Sequence, residues 1–407
     1  MTQWGSRPPR ILLLEGIHPK AKEVLEYEGF TVRLEKHSPN EADLRAWIKE
    51  CDAIGIRSKT RITSSLIAEN PHLVAIGAFC IGTDQVDLGA ANAAGIPVFN
   101  APYSNTRSVA ELVMAEIVAL SRQLGDRNMK MHRGEWQKSA DGAHEVRGKT
   151  LGIVGYGHIG SQVSVLAEAF GMRVIYFDIV KKLPLGNSRP CRSLEELLAE
   201  ADFVSLHVPD TEQTRGMIGA KQLARMKKGA HLINASRGTV VDLAELAKAI
   251  REKHLAGAAI DVFPNEPSSN GQKFACELQG LPNVILTPHI GGSTMEAQES
   301  IGAEVAQSFI GFFKTGSTRG AVNFPNVDLP VVHQGCRRII NVHKNVPGVL
   351  GDINGIVSEV GANIQAQSLA TDPHIGYLVM DIEKAEANEV ADRISKLETS
   401  IKTRVVF

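Results

Sequence analysis

A glycine-rich turn in the middle of the chain constrains its fold more than any other segment. The apolar run Thr150–Val154 leads into Gly155-Tyr-Gly-His-Ile-Gly160, and an amphipathic stretch from Ser161 to Phe170 follows it. In such a strand–turn–helix unit, the first glycine permits a tight turn, the second lets the backbone approach a pyrophosphate, and the third lets the helix pack on the strand. The helix N-terminus adds free N–H groups for phosphate oxygens. The segment therefore predicts a dinucleotide site rather than a purely structural turn.

A carboxylate at the end of the next predicted strand narrows the choice of dinucleotide. Asp178 follows the strand Arg173–Phe177 and comes 18 residues after Gly160 (178 − 160 = 18). A carboxylate at this position accepts hydrogen bonds from the ribose hydroxyls and repels a 2′-phosphate. NAD is therefore the expected cofactor, although Lys181 and Lys182 close by weaken the preference over NADP.

The glycine turn belongs to a regular alternation of strands and helices. Strand-like apolar runs occur at Thr150–Val154, Arg173–Phe177, Phe203–Leu206, His231–Asn234, Ala258–Ile260 and Val284–Leu286. Helical patterns separate most of these runs, which predicts a parallel sheet covered on both faces. The middle of the chain is thus expected to be a doubly wound α/β domain of the Rossmann type with six strands.

The N-terminal part shows a second alternation of the same kind. Strands are predicted at Ile11–Leu14, Phe30–Leu34, Ala53–Ile56 and Val74–Gly77, with a helix from Pro19 to Glu28 after the first. Longer helices are predicted from Ser108 to Arg122 and from Glu296 to Phe313, on either side of the middle domain. A second parallel sheet is therefore expected, and the fold class is α/β.

The C-terminal part follows a different order of elements. Residues 315–337 contain Gly316, Gly320, Pro325, Pro330 and Gly335, which predicts extended chain and a linker. Beyond them, strands are predicted at Arg338–His343, Asn363–Leu369, Gly376–Ile382 and Lys402–Phe407, and helices at Val349–Val360 and Ala385–Leu397. This βαββαβ order is that of a ferredoxin-like domain.

Composition argues against several classes of partner. The chain has 407 residues, which predicts two or three domains, and its 44 basic and 45 acidic residues give a net charge of −1. Such a balance gives no support for binding to nucleic acid or to an acidic membrane. None of the five cysteines belongs to a Cys-x-x-Cys pair, and no apolar run approaches the roughly 18 residues that a membrane span needs. A cytoplasmic protein without disulfides is therefore expected.

Three polar residues on successive loops of the middle domain have the chemistry of alcohol oxidation. Arg237, after His231–Asn234, can hold a carboxylate with two parallel hydrogen bonds. His289, after Val284–Leu286, can take up a hydroxyl proton near neutral pH, and Glu266 can fix the tautomer of that imidazole. Taken singly, a surface arginine, a core histidine and a helix-capping glutamate are the commoner interpretations. Together, beside a dinucleotide site, they favour oxidation of an alcohol next to a carboxylate.

Other chemistries find no support in the sequence. His207, His231, His254 and His289 lack the spacing of metal ligands and have no cysteine partners, so no metal site is expected. A serine nucleophile is not expected either, because the chain contains no Gly-x-Ser-x-Gly motif. The reaction is therefore expected to depend on the bound dinucleotide.

Five longer motifs resemble those of one known family. They are Val154–Gly160, Leu206–Pro209, Leu232–Val241, Gly257–Pro264 and Leu286–Ser293. Through them the chain resembles the D-isomer-specific 2-hydroxyacid dehydrogenases over nearly its whole length, and its C-terminal βαββαβ unit resembles an ACT regulatory domain. The resemblance implies an NAD-binding Rossmann domain, 105–292, inserted into a split flavodoxin-like substrate domain, 1–104 and 293–332. The ACT domain would then span residues 333–407.

The resemblance also implies roles at matched positions. Arg237 would hold the substrate carboxylate, and His289, paired with Glu266, would be the acid/base. The NAD site would be lined by Gly155, Gly157, His158, Ile159, Gly160, Asp178, His207, Pro209, Ala235, Ser236, Arg237, Asp261, His289, Gly291 and Gly292. Substrate binding would also use Arg57, Ser58 and Asn105. Candidates for holding a substrate phosphate are Lys36, Arg133 and Lys138, with Trp136 packed beside them.

For the C-terminal domain, the resemblance implies an effector site. His343, Asn345 and Asn363 would hold L-serine across a paired ACT interface, beside the helix N-terminus at Pro347-Gly348. A purely structural oligomerisation domain is the alternative interpretation of the same residues. The implied assembly is a homotetramer.

The implied activity is NAD-dependent oxidation of 3-phospho-D-glycerate (3-phosphoglycerate), the first step of L-serine biosynthesis, with feedback inhibition by L-serine. Reduction of 2-oxoglutarate to 2-hydroxyglutarate is an expected side activity. Two alternatives stay open at this point. One is another D-2-hydroxyacid dehydrogenase acting on glyoxylate or hydroxypyruvate, and the other is a non-catalytic NADH-sensing protein similar to the corepressors that share this fold.

Overall fold

The computed structural model describes residues 7–267, 271–330 and 335–406. The chain divides into two compact units, Met1–Ser104 with Gln298–Phe407, and Asn105–Ala297. The N-terminal sheet and the C-terminal βαββαβ region therefore lie in the same unit. Each unit has its own sheets and its own core.

The N-terminal part of the first unit is a five-stranded parallel sheet. Its elements are β1 (Arg10–Leu13), α1 (Pro19–Tyr27), β2 (Thr31–Leu34), α2 (Glu41–Ile48), β3 (Ala53–Ile56), α3 (Ser64–Glu69), β4 (Ala75–Ala78), α4 (Leu88–Ala93) and β5 (Val98–Asn100). The strand order β2-β1-β3-β4-β5 confirms the flavodoxin-like expectation. Strands β3 and β4 are buried at every position, as expected for strands that are covered on both faces.

The second unit contains a doubly wound sheet with seven strands among its described residues. Its elements are α5 (Thr106–Ser121), α6 (Leu124–His132), β6 (Thr150–Val154), α7 (His158–Ala169), β7 (Arg173–Phe177), β8 (Arg189–Pro190), α8 (Leu194–Glu200), β9 (Phe203–Leu206), α9 (Ala220–Arg225), β10 (His231–Asn234), a 3-10 turn (Gly238–Val240), α10 (Leu243–Arg251), β11 (Gly257–Ile260) and β12 (Val284–Leu286). The strands are parallel in the order β12-β11-β10-β9-β6-β7-β8. The order reverses between β6 and β9, and folds of this kind bind ligands beside such a reversal.

Three features of the second unit differ from the sequence prediction. Helix α7 begins at His158 rather than Ser161, because the end of the glycine turn already forms the first helical turn, with Gly157 as N-cap. Strand β8 is a seventh, two-residue edge strand, where proline is tolerated. Helix α6 was not predicted at all. It buries none of its residues, so it has no apolar stripe from which to recognise it.

The rest of the chain consists of one long helix and the C-terminal domain. Helix α11 (Met295–Thr315) is followed by β13 (Cys336–Lys344), α12 (Val349–Val360), β14 (Ile364–Thr371), β15 (Ile375–Glu383), α13 (Ala387–Ser395) and β16 (Ser400–Val406). The predicted βαββαβ order is confirmed, and the antiparallel strands follow the order β14-β15-β13-β16. One face of this sheet packs on α12 and α13 through a core that includes Ile339, Ile353 and Ile394.

The other face of the C-terminal sheet joins the core of the N-terminal sheet. Ile340 and Tyr377 belong to the same buried cluster as Phe309, Phe312 and Phe313 of α11. The Tyr377 hydroxyl donates a hydrogen bond to the carbonyl oxygen of Gly316 at 2.6 Å. Residues of the predicted linker therefore contribute contacts to this shared core.

A buried ion pair reinforces the same junction. Arg338 and Asp381 are each 1% exposed, and the guanidinium binds both carboxylate oxygens, at 2.6 and 2.7 Å. Arg338 also donates to the carbonyl oxygens of Thr315 and Pro330. A buried guanidinium with several hydrogen bonds tolerates little change in its partners. Among the described residues, no helix is long and apolar enough to cross a membrane.

Candidate active site

The three glycines of the turn have different surroundings. Gly155 has a φ of +90°, and a Cβ there would lie 2.3 Å from the carbonyl oxygen of His207. A Cβ on Gly160 would lie 2.2 Å from the carbonyl oxygen of Gly155, so helix and strand approach too closely for a side chain. A Cβ on Gly157 would meet no heavy atom within 4 Å. The turn thus leaves open space at its middle glycine, in front of the N-terminus of α7.

Asp178 fixes this turn from the neighbouring strand. It follows β7, and its carboxylate accepts hydrogen bonds from the backbone N–H groups of Tyr156 and Val180, each at 2.8 Å. The first N–H groups of α7, from His158 onward, have no helical acceptor, as at any helix start. An open glycine, a helix N-terminus and a carboxylate beside them fit the pyrophosphate and ribose of a dinucleotide.

Arg237 lies on a short loop between β10 and the 3-10 turn. One guanidinium nitrogen donates to the carbonyl oxygen of Ser236 at 2.8 Å. The next residue, Gly238, packs against backbone, because a Cβ there would lie 2.0 Å from the carbonyl carbon of Phe263. The Arg237 loop therefore packs closely against the start of the segment that leads from Phe263 to Glu266.

His289 and Glu266 form a hydrogen-bonded pair. The Nδ1 atom of His289 lies 2.7 Å from Oε2 of Glu266, and the other carboxylate oxygen accepts from the N–H of Phe263 at 3.1 Å. About half of the His289 side chain is exposed. A carboxylate at Nδ1 keeps the proton on that nitrogen and leaves Nε2 as the basic atom.

The surrounding charges shift the pKa values of this pair in opposite directions. The hydrogen bond that His289 donates to Glu266 is the main cause that raises the pKa of His289, against the opposing effects of burial and of Arg237. Burial alone would raise the pKa of Glu266, but His289, the Phe263 N–H and Arg237 together lower it. Glu266 therefore stays ionised and stabilises the imidazolium that forms when His289 takes up a proton.

Asp261 holds the loop that carries His289. It is 2% exposed and follows β11. Its carboxylate accepts from the Thr287 hydroxyl at 2.6 Å and from the N–H groups of Ile290 and Gly291, each at 2.8 Å. Each of these three hydrogen bonds goes to the loop that carries His289. The family resemblance does not indicate that Asp261 holds this loop.

The other residues expected around the cofactor lie on the same side of the second unit. Ala235 and Ser236 follow β10, and His207 and Pro209 follow β9. The Nε2 atom of His207 lies 2.9 Å from the Ser205 hydroxyl, and burial lowers the pKa of this histidine to about 4, so it is neutral at pH 7. Asn105 is the N-cap of α5, close to Gly292.

Substrate candidates in the first unit lie at the carboxyl edge of its sheet. Arg57 and Ser58 follow β3, and Lys36 follows β2. The carboxylate of Glu15 accepts from the N–H groups of Lys59 and Thr60, at 3.0 and 2.7 Å, and so fixes the loop after Ser58. Arg57 is half-buried, whereas Ser58 and Lys36 are exposed.

The remaining phosphate candidates belong to the second unit. Arg133, Trp136 and Lys138 are all exposed, and they follow α6. Lys138 lines an open cavity of about 630 Å³ together with Arg122 and Arg127, which gives that cavity a positive charge. The structure therefore places Lys138 beside these two arginines.

The three effector candidates do not meet within one chain. In the C-terminal sheet, His343 of β13 pairs with Gly376 of β15. Ile364, the residue after Asn363, pairs with Ile382 of β15. These partners are six residues apart on β15 (382 − 376 = 6), which is about 20 Å of strand. His343 is buried against Gly376, whereas Asn345 and Asn363 are exposed.

Comparisons with known proteins agree with this geometry. Residues 114–291 match the NAD binding domain of the D-isomer specific 2-hydroxyacid dehydrogenases, and residues 339–402 match an ACT domain like that of the AHAS small subunit. Proteins named D-3-phosphoglycerate dehydrogenase from Dictyostelium discoideum and Escherichia coli K12 are 53% and 51% identical to this chain, and each alignment covers 98% of this chain and 97% of the relative. The chain belongs to the D-isomer-specific 2-hydroxyacid dehydrogenase family.

A solved structure has a similar fold over most of this chain. The D-lactate dehydrogenase of Aquifex aeolicus, solved with NAD and lactic acid, superposes with a TM-score of 0.68 at 29% identity and covers 78% of this chain and 100% of its own. As a member of the family, the chain is an NAD-dependent dehydrogenase that acts on a small molecule and carries an ACT domain.

Three residues that support the site, Asn234, Thr287 and Gly238, are not identified by the sequence motifs. Asn234, at the end of β10, bonds the Arg237 loop, and Thr287 bonds Asp261. Both lie inside or next to the family motifs, but a motif alone does not distinguish a residue that touches ligand from one that holds a loop. Gly238 is a third case, since its packing against Phe263 depends on a neighbouring strand.

Proposed function

We propose that this dehydrogenase oxidises 3-phospho-D-glycerate to 3-phosphohydroxypyruvate with NAD, the first step of L-serine biosynthesis, and that L-serine inhibits it. The observation that carries the proposal is the His289–Glu266 pair at 2.7 Å beside the Arg237 loop. Relatives at 51–53% identity over nearly the full chain are named for this reaction. Reduction of 2-oxoglutarate is proposed as a side activity.

In the proposed mechanism, the chain's own residues bind the substrate acid and move one proton. Arg237 binds the carboxylate. Its guanidinium donates one hydrogen bond to the carbonyl oxygen of Ser236 and has further N–H groups with which to hold the substrate. His289 takes the hydroxyl proton at Nε2, and Glu266 stabilises the resulting imidazolium. Bound NAD supplies the hydride acceptor. In the reverse direction, protonated His289 returns the proton to the carbonyl oxygen.

The cofactor would be held by the turn and its supports. The open space at Gly157 and the N–H groups of α7 suit the pyrophosphate, and Asp178 suits the ribose. His158, Ile159, His207, Pro209, Ala235, Ser236, Asp261, Gly291 and Gly292 are the other proposed cofactor contacts. The neutral state of His207 at pH 7 suits a contact with an uncharged part of the cofactor.

Four residues are proposed to bind the substrate. They are Arg57 and Ser58, in the substrate-binding domain (1–104 and 293–332), and Asn105 and Arg237, in the nucleotide domain (105–292). Lys36, Arg133 and Lys138 are the proposed sources of positive charge for the phosphate.

For regulation, the strand register supports a site made by two copies of the ACT domain (333–407). His343 and Asn363 lie about 20 Å apart along β15 of one chain, which is farther than a molecule of the size of serine can reach. A second copy can bring its Asn363 beside His343 and Asn345 of the first. The proposed assembly is a cytoplasmic homotetramer, with one pairing through the nucleotide domains and one through the ACT domains.

The proposal is tested by following NADH absorbance with a panel of 2-oxo acids, with and without L-serine. We expect the highest kcat/KM with 3-phosphohydroxypyruvate, lower values with 2-oxoglutarate, and suppression by L-serine. Activity confined to glyoxylate or hydroxypyruvate would overturn the choice of substrate but keep the catalytic residues. Binding of NADH without turnover of any acid would favour the non-catalytic alternative.

A further inference from the structure

Asn234 is a buried polar residue that no step of the proposed reaction uses. It is the last residue of β10 and 1% exposed. Its Oδ1 accepts from the N–H of Ser236 at 3.0 Å and from the Ser236 hydroxyl at 2.7 Å, while its Nδ2 donates to the carbonyl oxygen of Arg237 at 3.0 Å. These three hydrogen bonds therefore go to Arg237, which carries the guanidinium, and to Ser236, the residue before it.

The Arg237 loop is fixed at a second point, on the far side of the arginine. Gly238 packs so closely against Phe263 and Pro264 that a Cβ would lie 2.0 Å from the nearest backbone atom. Asn234 holds the loop before this contact, and its own carbonyl oxygen accepts from the N–H of Asp261 at 3.0 Å. The backbone of Arg237 thus has a fixed position on both sides, which limits the directions in which its long side chain can point.

The chemistry of the site selects an amide at this position. The side chain must accept two hydrogen bonds at one atom and donate one at the other, and it must do so from a short stem. Aspartate would keep the two bonds to Ser236 but would set a carboxylate oxygen against the carbonyl oxygen of Arg237, where two acceptors repel each other. A serine hydroxyl can accept and donate, but its shorter side chain cannot reach Ser236 and Arg237 together, and alanine would lose all three hydrogen bonds.

We propose that Asn234 is a positioning residue for Arg237: it holds the loop so that the guanidinium meets the substrate carboxylate in a fixed orientation. This inference rests on the proposed role of Arg237 in binding that carboxylate. The consequence is a contribution to specificity, since a misplaced guanidinium costs binding only for substrates that carry the carboxylate.

The experiment compares Asn234→Asp and Asn234→Ser with wild type, Arg237→Ala and the double variant Asn234→Asp/Arg237→Ala. The matched control is Asn283→Asp, since Asn283 also bonds backbone carbonyls, those of Leu120 and Ala256, but precedes β12 at the opposite edge of the sheet. Each variant is first checked for its melting temperature and its NADH affinity. The shorter Asn234→Ser variant carries no new charge and serves if the aspartate variant does not fold.

The readout is the ratio of kcat/KM for a 2-oxo acid to kcat/KM for its uncharged C1 amide. We expect Asn234→Asp and Asn234→Ser to reduce this ratio roughly 10-fold or more, because the loss falls only on the substrate that Arg237 binds. Asn283→Asp should leave the ratio within about twofold of wild type even where it lowers the melting temperature. In the Arg237→Ala background, Asn234→Asp should cause little further change in the ratio, because the two residues act as a unit.

Two results separate failure of this inference from failure of the proposed function. If Arg237→Ala reduces the ratio while both Asn234 variants behave like Asn283→Asp, Asn234 has only a structural role and the inference is wrong. If Arg237→Ala itself leaves the ratio unchanged, Arg237 does not bind the carboxylate, and the inference falls with that part of the proposed function.

Discussion

The carbonyl oxygen of Asp261 accepts a hydrogen bond from the N–H of His289 at 2.8 Å, and the Asp261 carboxylate binds the next two N–H groups of the same loop. His289 has a φ of +52°, a left-handed conformation that costs a non-glycine residue on the order of 1 kcal/mol or more. The bonds to Asp261 offset this cost. The imidazole is therefore held in place by the backbone as well as by Glu266.

Replacement of His289 should separate catalysis from cofactor binding. We expect His289→Ala to lower kcat by roughly 10²–10⁴, because the proton acceptor is lost while the glycine turn is untouched. NADH affinity, measured by fluorescence titration, should stay close to that of wild type. A variant with an unchanged kcat would remove His289 from the mechanism.

Replacement of Glu266 should shift the pH dependence in a defined direction. Oxidation needs neutral His289, so its rate falls as the pH drops through the pKa of that group, and Glu266 raises this pKa above the ordinary value of 6.5. Glu266→Gln removes the cause, so the acid limb of kcat/KM for oxidation should move to lower pH. Reduction needs protonated His289, which is lost as the pH rises through the same pKa, so its alkaline limb should also move to lower pH.

The control for this shift is Glu145→Gln, which removes an exposed carboxylate paired with Arg147 at the surface. Its pH profiles should match those of wild type. If the profiles of Glu266→Gln also matched wild type in both directions, the pair would not control the protonation of His289.

Two glycines of the turn should respond differently to the same substitution. Gly157→Ala adds a methyl group to open space, so we expect an unchanged melting temperature and a loss of NADH affinity of roughly 10-fold or more, since the methyl group lies where the cofactor would approach. Gly160→Ala places a Cβ 2.2 Å from a backbone oxygen, and we expect destabilisation of about 1–3 kcal/mol or more. Calorimetry and NADH titration measure both effects. Equal behaviour of the two variants would contradict the assigned geometry.

The fold could be predicted from the sequence where burial imposes a pattern. Strands β3, β6, β7, β9, β10 and β12 and helix α12 have the predicted bounds, because apolar runs between turn residues define them. Helix α6 and strand β8 have no such pattern, since one is not buried and the other has two residues. The shared core of the C-terminal sheet and α11 was not predicted either, because contacts between distant segments leave no periodic signal.

The sequence indicates candidate site residues but not how they are arranged. The order of strands and loops indicates Arg237, Glu266 and His289, and the structure brings Glu266 and His289 together at 2.7 Å. The motifs do not indicate that Asp261 binds the His289 loop. An aspartate after a strand gives the same motif whether its side chain binds a ligand or the backbone of a neighbouring loop. Hydrogen-bond partners depend on neighbouring strands in the sheet, which are far apart in sequence.

Breaking the buried pair in the C-terminal sheet should destabilise the first unit. Asp381→Ala leaves the guanidinium of Arg338 buried without its countercharge, and we expect a loss of about 3–5 kcal/mol in the free energy of unfolding. The control is Asp392→Ala, which removes an exposed partner of Lys396 and should cost less than about 1 kcal/mol. Urea unfolding measures both, and similar losses for the two variants would contradict the account of the junction.

Replacement of Asn345 tests the proposed effector site. We expect Asn345→Ala to raise the L-serine concentration for half-inhibition roughly 10-fold or more, because a polar contact to the effector is lost. The rate of each variant in the presence of L-serine is divided by its own rate without L-serine. Asn388→Ala, which removes an exposed amide bonded to Arg337 in the same domain, should keep the inhibition of wild type. Unchanged sensitivity of Asn345→Ala would place the serine site elsewhere.

The most direct measurement of the central claim is the appearance of NADH when enzyme and NAD are mixed with 3-phospho-D-glycerate or with its L enantiomer. The account predicts NADH formation with the D enantiomer, a strongly reduced rate with Arg237→Ala, and no measurable rate with the L enantiomer. Equal rates with both enantiomers, or no NADH with either, would contradict it.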